Sequence, residues 1–242
     1  MSSTTAAIHA GHPPTTTGLD HRKIAIWAFI GSECMLFASL ISTYLIYKGR
    51  SRTGPFPHEW WCQATNATSA TGPIANCPAG ALYKPILNIP VTSQSTFVLL
   101  MSSLAMVLAL AAVENKGKKG WAGPGWGGRL MESSKLWLLA TAILGAGFLC
   151  YQAFEFTSFV HEGLTIKTNL FGSSFFTLTG FHGFHVFVGL IALSVVGLLA
   201  RAGDFRAGGR RVVVDTVSIY WHFVDGIWVI IFSLVYLLGL IS

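Results

Sequence analysis

The sequence predicts an all-α integral membrane protein, a bundle of five transmembrane helices with its N-terminus inside and its C-terminus outside, and three observations carry that reading. Of its 242 residues 52% are hydrophobic and only 11% are charged, whereas about a quarter of the residues of an ordinary soluble domain carry charge. The apolar residues fall into five runs, about 24–47, 91–113, 135–160, 172–200 and 216–241, each long enough for the roughly 20 residues that cross a bilayer core. The Lys and Arg between the runs are unequally shared. One side has Arg22, Lys23, Lys116, Lys118, Lys119, Arg129, Lys135, Arg201, Arg206, Arg210 and Arg211, and the other has Lys48, Arg50, Arg52, Lys84 and Lys167. Basic residues gather on the inner side, so the side that holds the N-terminus is inside.

Residues 1–22 are mostly Ser, Thr, Ala, Gly and Pro with scattered His and read as a mobile tail. Residues 23–242 form the membrane domain. The first run is a retained helix and not a cleaved signal, because it is too long, holds Glu33 mid-span and lacks a small-residue cleavage site. The loop 48–90 lies outside and reads as a small ordered cap, with Trp60 and Trp61 near its start. Cys62 and Cys77 share this loop, and in an oxidising compartment they should form a disulfide. Closing that loop is worth about 3 kcal/mol in the chain-entropy model. Cys34 and Cys150 fall within runs and should stay reduced, packing as small apolar residues. The second run leads into "ENKGKKGWAGPGWGGR", a basic, Gly-rich turn whose Trp121 and Trp126 suit the headgroup region. The net charge of +6 sits largely in short inner loops, where topology and anionic headgroups account for it without a nucleic-acid partner.

The polar residues inside the runs are the candidate site. A charged side chain at a helix centre costs roughly 2.5–3.5 kcal/mol on insertion scales, so each intramembrane ionisable group is a functional hypothesis. Gln152 and Glu155, His182 and His185, and His222 and Asp225 are spaced i, i+3, which places each pair on one helix face. At about 1.5 Å per residue, Glu33, His185, His222 and Asp225 can meet in one layer near mid-membrane, with Gln152 and Glu155 in a second layer nearer the outside. Only His182, His185 and His222 lie within runs, too few for an oxygen-reducing haem-copper centre. A single haem b between His182 or His185 and His222, hydrogen bonding between helices, and a proton relay all remain open on spacing. Gly145 and Gly147 on the third run, and Gly172, Gly180, Gly183, Gly189 and Gly197 on the fourth, predict closely approaching backbones.

The stretches "WAFIGSECMLF" (27–37), "LGAGFLCYQAFEF" (144–156), "FGSSFFTLTGFHGFHVFVG" (171–189) and "YWHFVDGIWVIIF" (220–232) resemble subunit III of the haem-copper oxidases, cytochrome c oxidase above all, in its short five-helix bacterial form. The motifs cover four of the five runs. The resemblance implies an accessory subunit of a terminal oxidase in the bacterial cytoplasmic membrane. Such a subunit has no catalytic residue, metal or other redox cofactor of its own, because the haems and copper belong to partner subunits. It would pack on the catalytic subunit I and other oxidase subunits, bind phospholipid and support proton uptake. The resemblance also implies that Glu33 is a carbodiimide-reactive glutamate, and that Arg201, with Arg206 close by, holds a lipid phosphate. Quinol oxidase subunit III and the accessory protein of nitric oxide reductase share much of this pattern. A stand-alone proton-coupled transporter would show an internal repeat and interrupted helices, which this sequence lacks.

Overall fold

The computed structural model describes residues 21–48, 50, 51, 54–115, 128, 133–202 and 209–238, and for 21, 22, 200–202 and 209–211 the backbone alone. Residues 1–20, Trp121, Trp126 and Arg206 lie outside them. Among the described residues, five helices are long and apolar enough to cross a membrane. They are α1 (His21–Tyr47), α2 (Ile89–Glu114), α3 (Ser134–His161), α4 (Leu170–Ala202) and α5 (Gly209–Phe232), the last continued by a π-helical turn, Ser233–Leu237. The fifth helix begins before residue 216, where apolarity alone would start it. Its polar first turns hold Asp215, which pairs with Lys23 of α1 at 2.6 Å. That ion pair ties together the two helix ends that face away from the loop 48–90.

Local sequence sets the helix ends. Asn88 caps α2 by accepting the Val91 N–H, and Ser133 caps α3 by accepting that of Leu136, each supplying a partner to an orphan donor of the first turn. At the end of α3, Gly163 takes φ +88, the left-handed region that glycine enters freely. The Leu164 N–H then returns to the Phe159 carbonyl and that of Gly163 to Val160, the paired bonds of a Schellman ending. Asn169 starts α4 by accepting the Gly172 N–H at 2.7 Å, and its own amide donates to the Pro55 carbonyl at 3.1 Å. This side chain therefore fixes the loop 48–90 to the bundle.

That loop is an ordered cap. Three short strands, β1 (Trp60–Cys62), β2 (Ala67–Ser69) and β3 (Leu82–Tyr83), form an antiparallel sheet in the order β2-β1-β3. Trp60 pairs with Ser69, and Trp61 with both Thr68 and Tyr83. Cys62 and Cys77 are joined in a disulfide, as their spacing predicts, across a Cα separation of 5.8 Å. Buried Trp61 packs on Phe56 and Tyr83. The half-buried His58 donates from Nε2 to the Val235 carbonyl at 3.3 Å, in the π-helical turn. Burial moves the His58 pKa below its ordinary value, since charging a half-buried imidazole forfeits hydration.

In the bundle α2 lies against α3 and α5, α4 against α3 and α5, and α1 outside this ring on α4 and α5. Trp221 of α5 is the largest fully buried side chain. It fits between Gly145 of α3 and Gly189 of α4, where an added Cβ would come within 2.5 Å and 2.9 Å of its ring. The expected close approach of helix backbones is thus corrected: side chains fill the space at Gly145, Gly189 and, with the Gln152 amide, Gly183, and at Gly172 the close neighbour is the Thr165 carbonyl of the adjoining loop. A Cβ would meet nothing at Gly180 and Gly197, and only an ordinary contact at Gly147. Cys34 and Cys150 are both free and lie within α1 and α3, exposed on the outside of the bundle.

Candidate functional site

Of the four residues that depth allows to meet, Glu33 and His185 do so. His185 lies at the α1–α4 contact, with Phe37 of α1 edge-on at 5.0 Å. Its Nδ1 is 2.7 Å from the Phe181 carbonyl and its Nε2 is 3.0 Å from Glu33 Oε2. A carbonyl only accepts, so Nδ1 carries a hydrogen. Nε2 then either accepts from a protonated Glu33 or, protonated itself, donates to the carboxylate. In both forms the pair shares one proton and has no net charge, which suits an apolar setting. Tyr220 of α5 donates to the His185 carbonyl at 3.0 Å, so three helices converge on this residue.

His222 and Asp225 do not join that pair. Their face of α5 turns to α2, where Ser103 Oγ lies 2.6 Å from His222 Nδ1. The Asp225 carboxyl is buried on the same side, with the Ser103 hydroxyl as a polar neighbour, though no hydrogen bond of full geometry reaches it among the described residues. His182 departs further from the expectation of histidines bonded between helices. It is fully buried, and neither ring nitrogen has a hydrogen-bond partner among the described residues. Aromatic rings enclose it instead: Trp228 stacks at 4.9 Å, and Phe148 and Phe37 approach edge-on at 5.8 Å and 6.5 Å.

Gln152 and Glu155 form the layer nearer the cap. The Gln152 amide donates to the Thr179 carbonyl of α4 at 2.7 Å. A Cβ at Gly183 would come within 2.7 Å of that amide, so the glycine leaves the space the amide occupies. Glu155 Oε1 accepts from Thr92 at 2.6 Å and from Tyr236 at 3.1 Å, joining α3 to α2 and to the end of α5. Thr92, Ser103 and Tyr236 are partners that the sequence reading missed. The available signal was the hydroxyl stripe of α2. Thr92, Thr96, Ser102 and Ser103 recur at helical spacing, and Trp228 donates to Thr96 at 3.0 Å and Trp221 to Ser102 at 3.1 Å.

No three His, Cys, Asp or Glu side chains are grouped as a metal-binding set among the described residues. Of the three histidines within the helices, His182 is packed among aromatic rings, His185 is bonded to Glu33, and His222 is turned toward Ser103. Away from the cap, an apolar groove of about 490 Å³ runs between α3 and α4, lined by Leu136, Leu139, Leu193, Gly197 and Leu198, with Lys135 among its residues. The side chain of Arg201, one turn beyond Leu198, is outside the described set.

A sequence model of the family described as cytochrome c oxidase subunit III matches residues 126–240. Among individual relatives, the cytochrome c oxidase subunit 3 of Bacillus sp. (strain PS3) is 34% identical over 223 residues, covering 92% of this chain and 88% of the relative. The quinol oxidase subunit 3 of Bacillus subtilis (strain 168) is 28% identical over 240 residues, covering 96% and 98%. The cytochrome c oxidase subunit 3 of Thermostichus vulcanus is 30% identical over 220 residues, covering 90% and 88%.

Proposed function

The chain belongs to the cytochrome c oxidase subunit III family, and from that membership we propose that it is the accessory subunit III of a haem-copper terminal oxidase in aerobic respiration. The carrying observation is that its oxidase relatives align along nearly the whole chain. The reading places it in the bacterial cytoplasmic membrane against the catalytic subunit I, whose complex holds the haems and copper. Oriented by its basic loops, the chain has its N-terminus inside and the cap outside. The Cys62–Cys77 disulfide supports this, since disulfides persist on the oxidising side of such a membrane.

Two features fit the supporting role. The shared proton of Glu33 and His185 gives α1 a carboxyl that can hold or pass one proton without leaving a net charge in the pair. The groove between α3 and α4 suits an acyl chain, and Lys135 beside it, with Arg201 one turn beyond, suits a headgroup phosphate at the inner surface. Arg201→Ala should lower the phospholipid retained by the purified complex, and unchanged lipid content would count against this site.

Cytochrome c is the proposed electron donor of the complex. Relatives named quinol oxidase subunit 3 over similar coverage favour quinol as the second reading. The test is to purify the tagged chain in mild detergent, identify its partners by mass spectrometry, and follow oxygen uptake with each donor. A haem-containing partner with cytochrome c turnover is expected. Recovery without any haem protein would refute the proposal, and turnover with quinol alone would select the second reading.

A further inference from the structure

At the cap end a cavity of about 370 Å³ lies between the segment 84–91 and the last turns of α3, and Glu155 is among the residues that line it. We propose that this cavity is an aqueous vestibule through which the Glu155 carboxyl exchanges its proton with the outer phase, a binding site for a proton delivered by water. The proposal takes only the compartment from the orientation given above; the vestibule itself rests on the geometry.

Glu155 is six residues short of His161, the end of α3, and so lies about 9 Å below that helix end at 1.5 Å per residue. It is only 7% exposed. Both described hydrogen bonds reach Oε1, from Thr92 and Tyr236. None among the described residues reaches Oε2, although a carboxylate has about four acceptor positions. Water is the usual partner of such an atom when the space is polar and roomy enough. Here the lining includes Lys84, Asn88, Ser158 and Glu162, and the volume far exceeds the roughly 10–15 Å³ that one water requires.

At the depth of Glu155 and just toward the cap, Phe159, Phe175 and Tyr236 are fully or almost fully buried and packed ring against ring, at 5.6 Å and 6.4 Å, so the carboxyl has an aromatic wall on its α4 and α5 side. Lys84 and Glu162 are the other charged groups on the lining; α2 and α5 face the carboxyl with the Thr92 and Tyr236 hydroxyls. Glu33 is a contrasting case, because it is bonded to His185 at the α1–α4 contact and is absent from this lining. The two intramembrane glutamates therefore serve different surroundings.

The experiment uses the native complex in sealed vesicles with the cap side outward, treated with a membrane-impermeant, water-soluble carbodiimide and a small amine, and mapped by peptide mass spectrometry. Glu59, exposed on the cap, reports reagent access. Glu155 should be modified together with Glu59. Ser158→Phe, one turn above Glu155 on the lining, should slow modification of Glu155 several-fold and leave Glu59 unchanged, with the smaller Ser158→Thr falling between. Modification of Glu59 without Glu155, in vesicles and in detergent alike, would overturn the proposal, as would an unchanged Glu155 rate in an assembled Ser158→Phe complex. Modification of both only by reagent sealed inside would overturn the assigned compartment and leave the vestibule standing.

Discussion

Gly145→Ala adds a single methyl group to the wall of the Trp221 site, and its cost follows from the geometry there. The new Cβ would lie 2.5 Å from Trp221 Cη2 and 2.8 Å from Cζ2. The indole has no room to retreat, because Gly189 backs its other side, where a Cβ would stand 2.9 Å from Cζ3, and Nε1 is held by Ser102 at 3.1 Å. Overpacking of this kind costs about 1–3 kcal/mol, while replacing a helical glycine by alanine returns up to about 1 kcal/mol. With that return subtracted in full, the net expectation is a loss of up to roughly 2 kcal/mol at Gly145. Gly180→Ala, whose Cβ meets nothing within 4 Å, should be neutral or stabilising. The assay is thermal loss of this chain from the purified complex, with both variants and Gly145→Ala/Trp221→Phe side by side. The smaller ring should recover part of the loss. Equal stability of Gly145→Ala and Gly180→Ala would refute the reasoning, for it would mean that the indole site yields freely.

Cys62→Ser should weaken the cap by about 3 kcal/mol in the chain-entropy model, seen as faster proteolysis between residues 54 and 83, and non-reduced peptide mapping of the native protein should recover the 62–77 cross-link. Glu33→Gln should assemble and keep most turnover, since an amide can still bond to His185, but lose modification by a hydrophobic carbodiimide. Glu33→Ala leaves His185 Nε2 without its partner and should cost about 1–3 kcal/mol in complex stability. Thr96→Val removes the acceptor of the Trp228 N–H and should cost about 0.6 kcal/mol, at most about 1.7, on the scale of interhelical bonds in membranes. His58 has a folded pKa below the ordinary 6.5, so the unfolded cap binds more protons near that pH and stability falls as pH drops through the window below 6.5. The protection factors of residues 54–62, with the intrinsic pH dependence of exchange divided out, should therefore fall on acidification, and His58→Gln should abolish that response.

The five helices were legible because membrane insertion imposes long apolar runs, and the Glu33–His185 meeting because helical rise converts sequence position into depth. Rotation about each helix axis was not legible. Depth alone allowed His222 and Asp225 to join Glu33, but inserting Trp221 between Gly145 and Gly189 turns their face toward α2. The start of α5 escaped the apolarity criterion because its polar turn is kept at the membrane edge by the Lys23–Asp215 pair. The cap strands are only two or three residues long, too short to show alternation, and the disulfide was the one feature there that chain spacing could announce. The helix without a diagnostic motif, α2, supplies hydroxyl partners to α3 and α5. Serine and threonine inside an apolar run read as mild polarity until the neighbouring indoles and carboxyl are in place.

The same α5 face also holds the least satisfied part of the bundle. Trp221, Asp225 and Trp228 follow one another at i, i+4 and i+7, so they share a face. The two indoles each donate to an α2 hydroxyl, which fixes the register and rotation of α5 against α2. The carboxyl between them is thereby held in the interior, where the Ser103 hydroxyl is a polar neighbour and no hydrogen bond of full geometry reaches it among the described residues. A buried acceptor left this way costs stability, and an apolar side chain of similar volume would avoid that cost. Departures from polar satisfaction in an otherwise consistent fold concentrate where a site is functional or strained. Asp225, on the face that α5 turns to α2, and His182 of α4, which stacks on Trp228 one turn further along and has no hydrogen bond among the described residues, therefore make the place where α2, α4 and α5 meet the part of this subunit least explained by packing alone.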